Sequence, residues 1–469
     1  MKVAFATYDA PLDVGGVSTW MQRILPLLQM ACIEVDVHVM ALDGKPGVNR
    51  AYFKKHGIAV RWIPWQVHLP SAVRSFLNFL EESQPDVYVP NCIVPAYFAA
   101  GYARRSGIPT VGVLHSDDSY HWGLVDEFIK GRPEFRVSAV VPVSSFLESE
   151  VSSTAALLGV TVCRIGYGVP IPAKLAKPPT SVFRLVYIGR LVEEQKRVSD
   201  VATALCAIAQ RIPNLEAWIV GEGWARNAVE DIIREKGNGR VRLLGWVDNA
   251  NIYDVLGQCH GLVLLSDYEG LPVSMLEAMA TGVVPICLDM RSGIQEAVQH
   301  GVNGLIVKDR AEDFFTSVEA LQGDLAWWKK LSIAARETVG ERYSIENCAR
   351  QWVDFLQSLD RGRAASTPFK RPRVLQLPPP NPKFGDFDIR LSWKRRLKDR
   401  LGINYGQNSH VFRRSHPRTR EENTLAQGVL PYLAEVDDAR SLPGHDHGRG
   451  KVVLFSVRGL YGCEGGMRC

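Results

Sequence analysis

Glu269 and Glu277 stand eight residues apart in the segment that follows the apolar run Gly261 to Leu265, with Gly270-Leu271-Pro272-Val273-Ser274 between them. Pro272 suits the first turn of a helix, so the free N–H groups from Gly270 to Ser274 would point toward a bound phosphate. Gly270, Leu271, Val273 and Ser274 then form an anion cradle. One glutamate could reach a sugar hydroxyl near the phosphate while the other accepts bonds from a ribose diol. Two glutamates at this spacing also arise by chance, and the pair gains meaning only from the strand before it and the helix after it. Gly189-Arg190 and Lys196 follow another apolar run, Phe183 to Ile188. A guanidinium fork and an ammonium leaving one strand end could clamp a diphosphate, each charge-assisted bond contributing about 1.5–3 kcal/mol. The same pair could equally be a solvated surface.

Gly15-Gly16-Val17-Ser18 follows the first apolar run at the start of a helix, where backbone N–H groups could approach an anion or a sugar, or simply make a turn. His115 closes the run Thr110 to Leu114 and precedes Ser116-Asp117-Asp118-Ser119-Tyr120-His121. It could donate to a sugar hydroxyl, or be a satisfied structural histidine; no third-ligand spacing supports a metal there. Gly221-Glu222-Gly223 also follows a strand, but Arg226 stands where a third glycine would complete a dinucleotide fingerprint, which disfavours a nicotinamide enzyme. The sequence lacks G-x-x-x-x-G-K-[ST] and G-x-S-x-G, arguing against a P-loop NTPase and an α/β-hydrolase. Asp386-Phe387-Asp388 has the D-x-D pattern of metal-dependent sugar transferases but falls in the tail.

These residues need a scaffold that brings strand ends together. Val3–Tyr8, Val35–Leu42, Val60–Pro64, Val87–Pro90, Thr110–His115 and Ala139–Val143 read as buried strands, with helices at Val17–Met30, Ala72–Glu82, Ala96–Arg105 and Ser145–Leu158. Residues 170–180 hold four prolines in eleven positions and mark a boundary. The beat restarts with strands at Phe183–Ile188, Ala217–Val220, Arg242–Leu244, Gly261–Leu265, Val283–Cys287 and Leu305–Val307, and closes with helices near 311–321, 325–337 and 345–359. The expectation is α/β: two Rossmann-like domains, 1–170 and 171–344, facing across a cleft, with a helix at 345–360 and a basic, proline-containing, mostly irregular tail at 361–469.

Composition agrees with a soluble globular chain: 469 residues, 46% hydrophobic and 22% charged, too large for one ordinary core. Net charge is +5, of which residues 361–469 carry about +11, leaving about −6 on residues 1–360. The asymmetry points to an anionic surface as partner for the tail and away from nucleic acid. Within 388–402, Ile389, Trp393, Leu397 and Leu401 recur every fourth position among Lys and Arg, a basic amphipathic helix suited either to solvent or to a membrane surface. The amino terminus does not resemble a signal peptide, and no apolar run reaches 18 residues, so a cytoplasmic location is expected, with peripheral contact at the inner membrane face through the tail. The nine cysteines, with no C-x-x-C pair, read as reduced and mostly buried.

Taken together, Gly15-Gly16, His115, Gly189-Arg190 with Lys196, Gly221-Glu222-Gly223 and Glu269-x7-Glu277 resemble family 4 of the retaining glycosyltransferases, which have the GT-B fold. The resemblance covers about residues 1–360 and is most specific over Glu269 to Gly282, followed by Val283-Val284-Pro285-Ile286 and Asn303-Gly304-Leu305-Ile306-Val307. It implies a first domain for the acceptor and a second for a nucleotide-sugar, UDP- or GDP-linked, as co-substrate. A hexosyl unit would pass to a hydroxyl of a saccharide or lipid-linked saccharide with retained anomeric configuration and no metal or other cofactor. By the same resemblance Arg190 and Lys196 neutralise the leaving diphosphate, Glu269 binds the donor hexose, Glu277 takes the ribose, Gly16 approaches the donor and His115 lies beside its sugar. The final helix is implied to cross back onto the first domain. Two positions depart from the pattern: Ser292-Gly293-Ile294-Gln295-Glu296 replaces the usual Gly-Gly-x-Pro-Glu, and Arg197 stands where glycine is frequent. Two other readings share the fold: an epimerase or phosphorylase acting on a sugar phosphate or nucleotide-sugar, and a non-catalytic sugar-nucleotide sensor, which would not need all four of Arg190, Lys196, Glu269 and Glu277.

Overall fold

Runs that are apolar at nearly every position, such as Val87–Pro90 and Gly261–Leu264, are buried on both faces, as a parallel sheet covered by helices requires. The computed structural model describes residues 1–9, 15–41, 47–66, 68–361, 368–379 and 381–384. In the first half, β1 (Lys2–Asp9), β2 (Glu34–Ala41), β3 (Ala59–Pro64) and β4 (Val87–Pro90) form a parallel sheet in the order β3-β2-β1-β4. Strands β5 (Val111–Leu114), β6 (Ala139–Pro142) and β7 (Thr161–Val162) form a second sheet, and a parallel bridge from Tyr88 to Thr110 links β4 to it. The second half has one sheet of β8 (Phe183–Ile188), β9 (Leu215–Val220), β10 (Val241–Gly245), β11 (Gly261–Leu264), β12 (Val284–Leu288) and β13 (Leu305–Val307), in the order β10-β9-β8-β11-β12-β13. Both halves are therefore doubly wound. Their strand order reverses between β1 and β4 and between β8 and β11, which are the points where open α/β sheets bind ligands.

Strand β7 and the helices Val48–Lys55 and Ser119–Phe128 go beyond the elements legible in the sequence. The start of Ser119–Phe128 is set by Asp118, whose carboxylate accepts from His121 N at 2.8 Å. The same carboxylate pairs with the His121 ring at 2.8 Å, and Asp117 accepts from Trp122 Nε1 at 2.8 Å. The acid and histidine run after His115 is thus committed to starting a helix.

After the second sheet the chain returns. Val169 N donates to Tyr343 O at 2.9 Å, and Ile345 N donates to Val169 O at 3.0 Å, so the outgoing and returning connections cross at one place. Helix Ile345–Arg361 then packs on helix Gly16–Met30 of the first half, with Trp352 and Trp20 ring centroids 5.4 Å apart. Residues 368–379 and 381–384 lie as a strap over the first half, anchored by buried Phe369 and Phe384. Phe384 rests on Tyr120 and Phe128, and Gly123 makes room for it: a Cβ there would lie 2.8 Å from the Phe384 ring. Asp386-Phe387-Asp388, the 388–402 segment, Cys463 and Cys469 lie outside the described residues. The seven described cysteines are free thiols, five of them buried. Among the described residues no helix is long and apolar enough to cross a membrane.

Candidate active site

The ends of β1, β5, β8 and β11 converge on one cleft of about 1200 Å3, open to solvent. Gly15, Gly16 and His115 line it from the first half, and Arg190, Lys196, Gly221, Glu269, Gly270, Leu271, Val273, Ser274 and Glu277 from the second. All twelve residues singled out from the sequence share this one space.

Close backbone approach builds the walls. A Cβ on Gly270 would lie 2.0 Å from His115 O, so the two halves touch where only glycine fits. Gly221, at φ +146°, packs its backbone against Gly189 O, which a Cβ would approach to 1.9 Å. Helix Val273–Thr281 starts at Pro272 with no capping side chain, and Pro272, Val273 and Ser274 line the cleft, an arrangement of first-turn N–H groups that suits an anion. Gly293 N donates to Gly270 O at 2.6 Å, and Glu296 accepts from Ser145 N at 2.6 Å. The divergent Ser292–Glu296 loop therefore props the Gly270 turn and ties it to the first half. Arg197 has φ +50°, the left-handed conformation that explains why glycine suits this position, and pairs with Asp200 at 2.8 Å.

The charged groups form one network. Lys196 Nζ lies 2.5 Å from Glu269 Oε1, Gln195 Nε2 donates to Glu269 Oε2 at 3.4 Å and to Tyr268 O at 3.1 Å, and Arg190 donates to Gln195 Oε1 at 3.1 Å. The Tyr187 hydroxyl, whose pKa burial pushes up, donates to Arg190 O at 2.8 Å. The buried Gln195 amide thus links Arg190 to Glu269, and Glu269 in turn holds Lys196, at the β8 and β11 ends. Glu277 is paired with Arg23 from the opposite half. Burial works against the Arg23 charge, but the Glu277 carboxylate prevails and raises its pKa.

His115 is buried, and its ring nitrogens are both engaged. Nε2 lies 2.5 Å from Asn91 Oδ1, so it donates, and Nδ1, 2.5 Å away, accepts from the Tyr167 hydroxyl. Burial and then His121 hold its pKa well below the usual histidine value, which fits this neutral form. Tyr167 stacks on the ring at 5.8 Å and Trp20 closes another side at 5.4 Å. Ser116 Oγ, beside it on the cleft wall, is buried with no hydrogen-bond partner.

The comparisons with known proteins agree with this geometry. The family model "Glycosyltransferase Family 4" matches residues 14–158, and the model "Glycosyl transferases group 1" matches residues 182–324. The chain belongs to glycosyltransferase family 4. This family 4 glycosyltransferase is 23% identical over 328 residues to the lipopolysaccharide 1,6-galactosyltransferase of Salmonella typhimurium, covering 67% of this chain and 88% of that protein. It is 25% identical over 320 residues to a putative teichuronic acid biosynthesis glycosyltransferase, TuaC, of Bacillus subtilis, covering 63% and 76%. Among solved structures, sucrose-phosphate synthase from Thermosynechococcus elongatus superposes with a TM-score of 0.63 at 18% identity, over 77% of this chain and 100% of that one. Anabaena HepE in complex with UDP superposes with a TM-score of 0.61 at 19% identity, over 76% and 100%. The fold is GT-B.

Several site residues escaped the sequence. Asn91 directly follows a strand that was legible, so the rule that ligands gather at strand ends could have found it. Gln195 lies directly beside Lys196 but carries no charge. Arg23 sits on a helix whose polar face reads as solvated, and Tyr167 offered no local signal.

Proposed function

We propose that this glycosyltransferase moves a hexosyl unit from a nucleoside-diphosphate sugar to a hydroxyl of a saccharide or lipid-linked saccharide, with retention of configuration and without a metal. The supporting observation is the single cleft in which Arg190, Lys196 and the open start of helix Val273–Thr281 face one another across the β8 and β11 ends. Cleaving a glycosyl phosphate bond concentrates negative charge on the departing diphosphate, and fixed cations and N–H groups aimed there lower the barrier. Lys196 and Arg190 would take that charge in place of a divalent cation.

In this reading Glu269 meets the hexose, with Gln195 and Lys196 fixing its two oxygens, and Glu277 receives the ribose hydroxyls. Gly15 and Gly16 bring the first half's backbone to the donor. His115, committed to Asn91 and Tyr167, acts as a rigid wall beside the sugar, and Ser116 Oγ is a free hydroxyl for acceptor or donor contact. UDP-linked donors come first, because the HepE complex holds UDP in the same fold, and GDP-linked donors second. Saccharide acceptors fit the surface-polysaccharide enzymes to which the chain is similar.

A melting-temperature panel against UDP, GDP, ADP and their sugars tests this directly. A true ligand at about a hundredfold its dissociation constant adds about 2.7 kcal/mol. A panel with no shift for any nucleoside diphosphate would reject the donor class, and an inverted product anomer would reject retention.

A further inference from the structure

Helix Gly16–Met30 belongs to the first half, yet three of its side chains reach the second. Asn249 Nδ2 donates to Thr19 Oγ1 at 3.2 Å and to Gln22 Oε1 at 3.4 Å, and Arg23 donates to Glu277 Oε1. The Arg23 and Glu277 side chains are only 12% and 6% exposed. Glu277 lines the cleft and Arg23 does not.

A buried ion pair is a poor device for stabilising a fold, since desolvation offsets most of the attraction. Here the cost is higher still, because Arg23 Nη1 is buried with no hydrogen-bond partner. The geometry makes sense as orientation. Arg23 holds one oxygen of Glu277, while among the described residues nothing donates to the other, Oε2.

We propose that Arg23 is a positioning residue: from the acceptor half it fixes the Glu277 carboxylate so that Oε2 is presented to the ribose hydroxyls of the donor. This rests on the nucleoside-diphosphate reading above. A carboxylate already held loses less freedom on binding, so its bonds to ribose contribute more affinity. Because the pair spans the two halves, ribose recognition is complete only when they are together, and ligand binding to the second half favours that closed arrangement. The diphosphate and base make no use of Arg23, so its influence is confined to the ribose.

The test measures dissociation constants of the full chain for UDP and 2′,3′-dideoxy-UDP by calorimetry, with GDP analogues if GDP binds better. Wild type is expected to favour the ribonucleotide by about tenfold or more, a difference of about 1.4 kcal/mol. Arg23→Gln is expected to reduce that preference to below about threefold while the dideoxy affinity stays near wild type, and Arg23→Lys to restore part of it. Arg23→Met, which keeps the apolar stem, substitutes with the same two readings where Arg23→Gln folds poorly. A wild-type preference in these variants, or an equal fall in both affinities as a merely structural role would give, overturns the inference. Wild-type binding of UDP with no ribose preference also overturns it. Failure of wild type to bind any nucleoside diphosphate instead overturns the donor reading itself.

Discussion

The Lys196 ammonium and the Glu269 carboxylate, from the β8 and β11 ends, meet at 2.5 Å in the cleft, each side chain largely buried. In the absence of a donor each charge neutralises the other, and an incoming diphosphate would share the cation. Lys196→Ala is expected to lower kcat by about 10²–10³, the usual loss when one group stabilising developing charge is removed. Glu269→Ala should be comparably inactive. Steady-state kinetics on variants checked for folding decide the matter, and near-wild-type turnover in both would remove these roles.

Gly270→Ala places a methyl group against the His115 carbonyl, where 2.0 Å separates them before any adjustment. Because the clash lies between the halves, the expected outcome is a folded protein with secondary structure intact, a lower melting temperature and severely reduced transfer. Gly323→Ala, with no atom within 4 Å of the new Cβ, is the control and should behave as wild type.

His38 is buried between Phe76 and Phe79, at 4.5 and 4.6 Å, with neither ring nitrogen hydrogen-bonded. Burial, assisted by Arg61, lowers its pKa from 6.5 to about 3. The folded state therefore refuses a proton that the unfolded chain accepts. Its contribution is full above about pH 6.5 and is lost as pH falls from there toward 3, at up to about 1.4 kcal/mol per unit. Burial also lowers His260, to about 4, with the same sign. Denaturant midpoints for His38→Leu should match or exceed wild type at pH 7, since two unpaired buried nitrogens disappear, and should fall less steeply toward pH 5.

The strap changes where the tail should be cut. Phe369 and Phe384 are buried, Lys383 pairs with Asp126 at 2.8 Å, and Tyr102 and Gln376 exchange hydrogen bonds at 2.9 and 3.0 Å. Removing residues 361–469 strips two anchors worth about 1.5–3 kcal/mol each and should lower the melting temperature. Removing only 385–469 should leave stability and donor hydrolysis unchanged while weakening association with anionic vesicles, if the 388–402 basic pattern meets a membrane. Melting temperatures of the two truncations, with vesicle flotation of the full chain against the 385–469 deletion, separate these effects.

Transfer should survive exhaustive chelation. In the proposed mechanism Arg190 and Lys196 supply the positive charge, so excess EDTA is expected to change the rate less than about twofold, whereas Lys196→Ala should not be rescued by added Mg2+ or Mn2+. Loss of activity on chelation would return the diphosphate to a metal.

The central strands were legible because they are buried on each face and so read as apolar runs. The site was legible where glycine, proline and charge fall just after those runs, as with Gly189-Arg190 and Glu269-Gly270. What stayed hidden depends on contacts distant in sequence. Nothing near Arg23 signals a partner at Glu277, and nothing near His115 signals Tyr167. The Asp117, Asp118 and His121 run, which lacks the ligand spacing of a metal site, serves instead to start a helix, with Asp118 as its cap. The tail shows the reverse, since Phe369 and Phe384 lack any periodicity: Phe384 fills a space that Gly123 opens on another helix, and the Phe369 N–H donates to Gln84 Oε1 at 2.8 Å.

The crossing of Val169 with Tyr343 and Ile345 has a mechanical consequence. The second half is in effect an insert, leaving and re-entering the first at a single point where the two passages are hydrogen-bonded to each other. Gly168 brings them so close that a Cβ would sit 2.6 Å from Cys348 and 2.7 Å from the Ile345 backbone. Any swing of one lobe against the other must turn about this axle, which lets the jaws part without either thread being pulled taut.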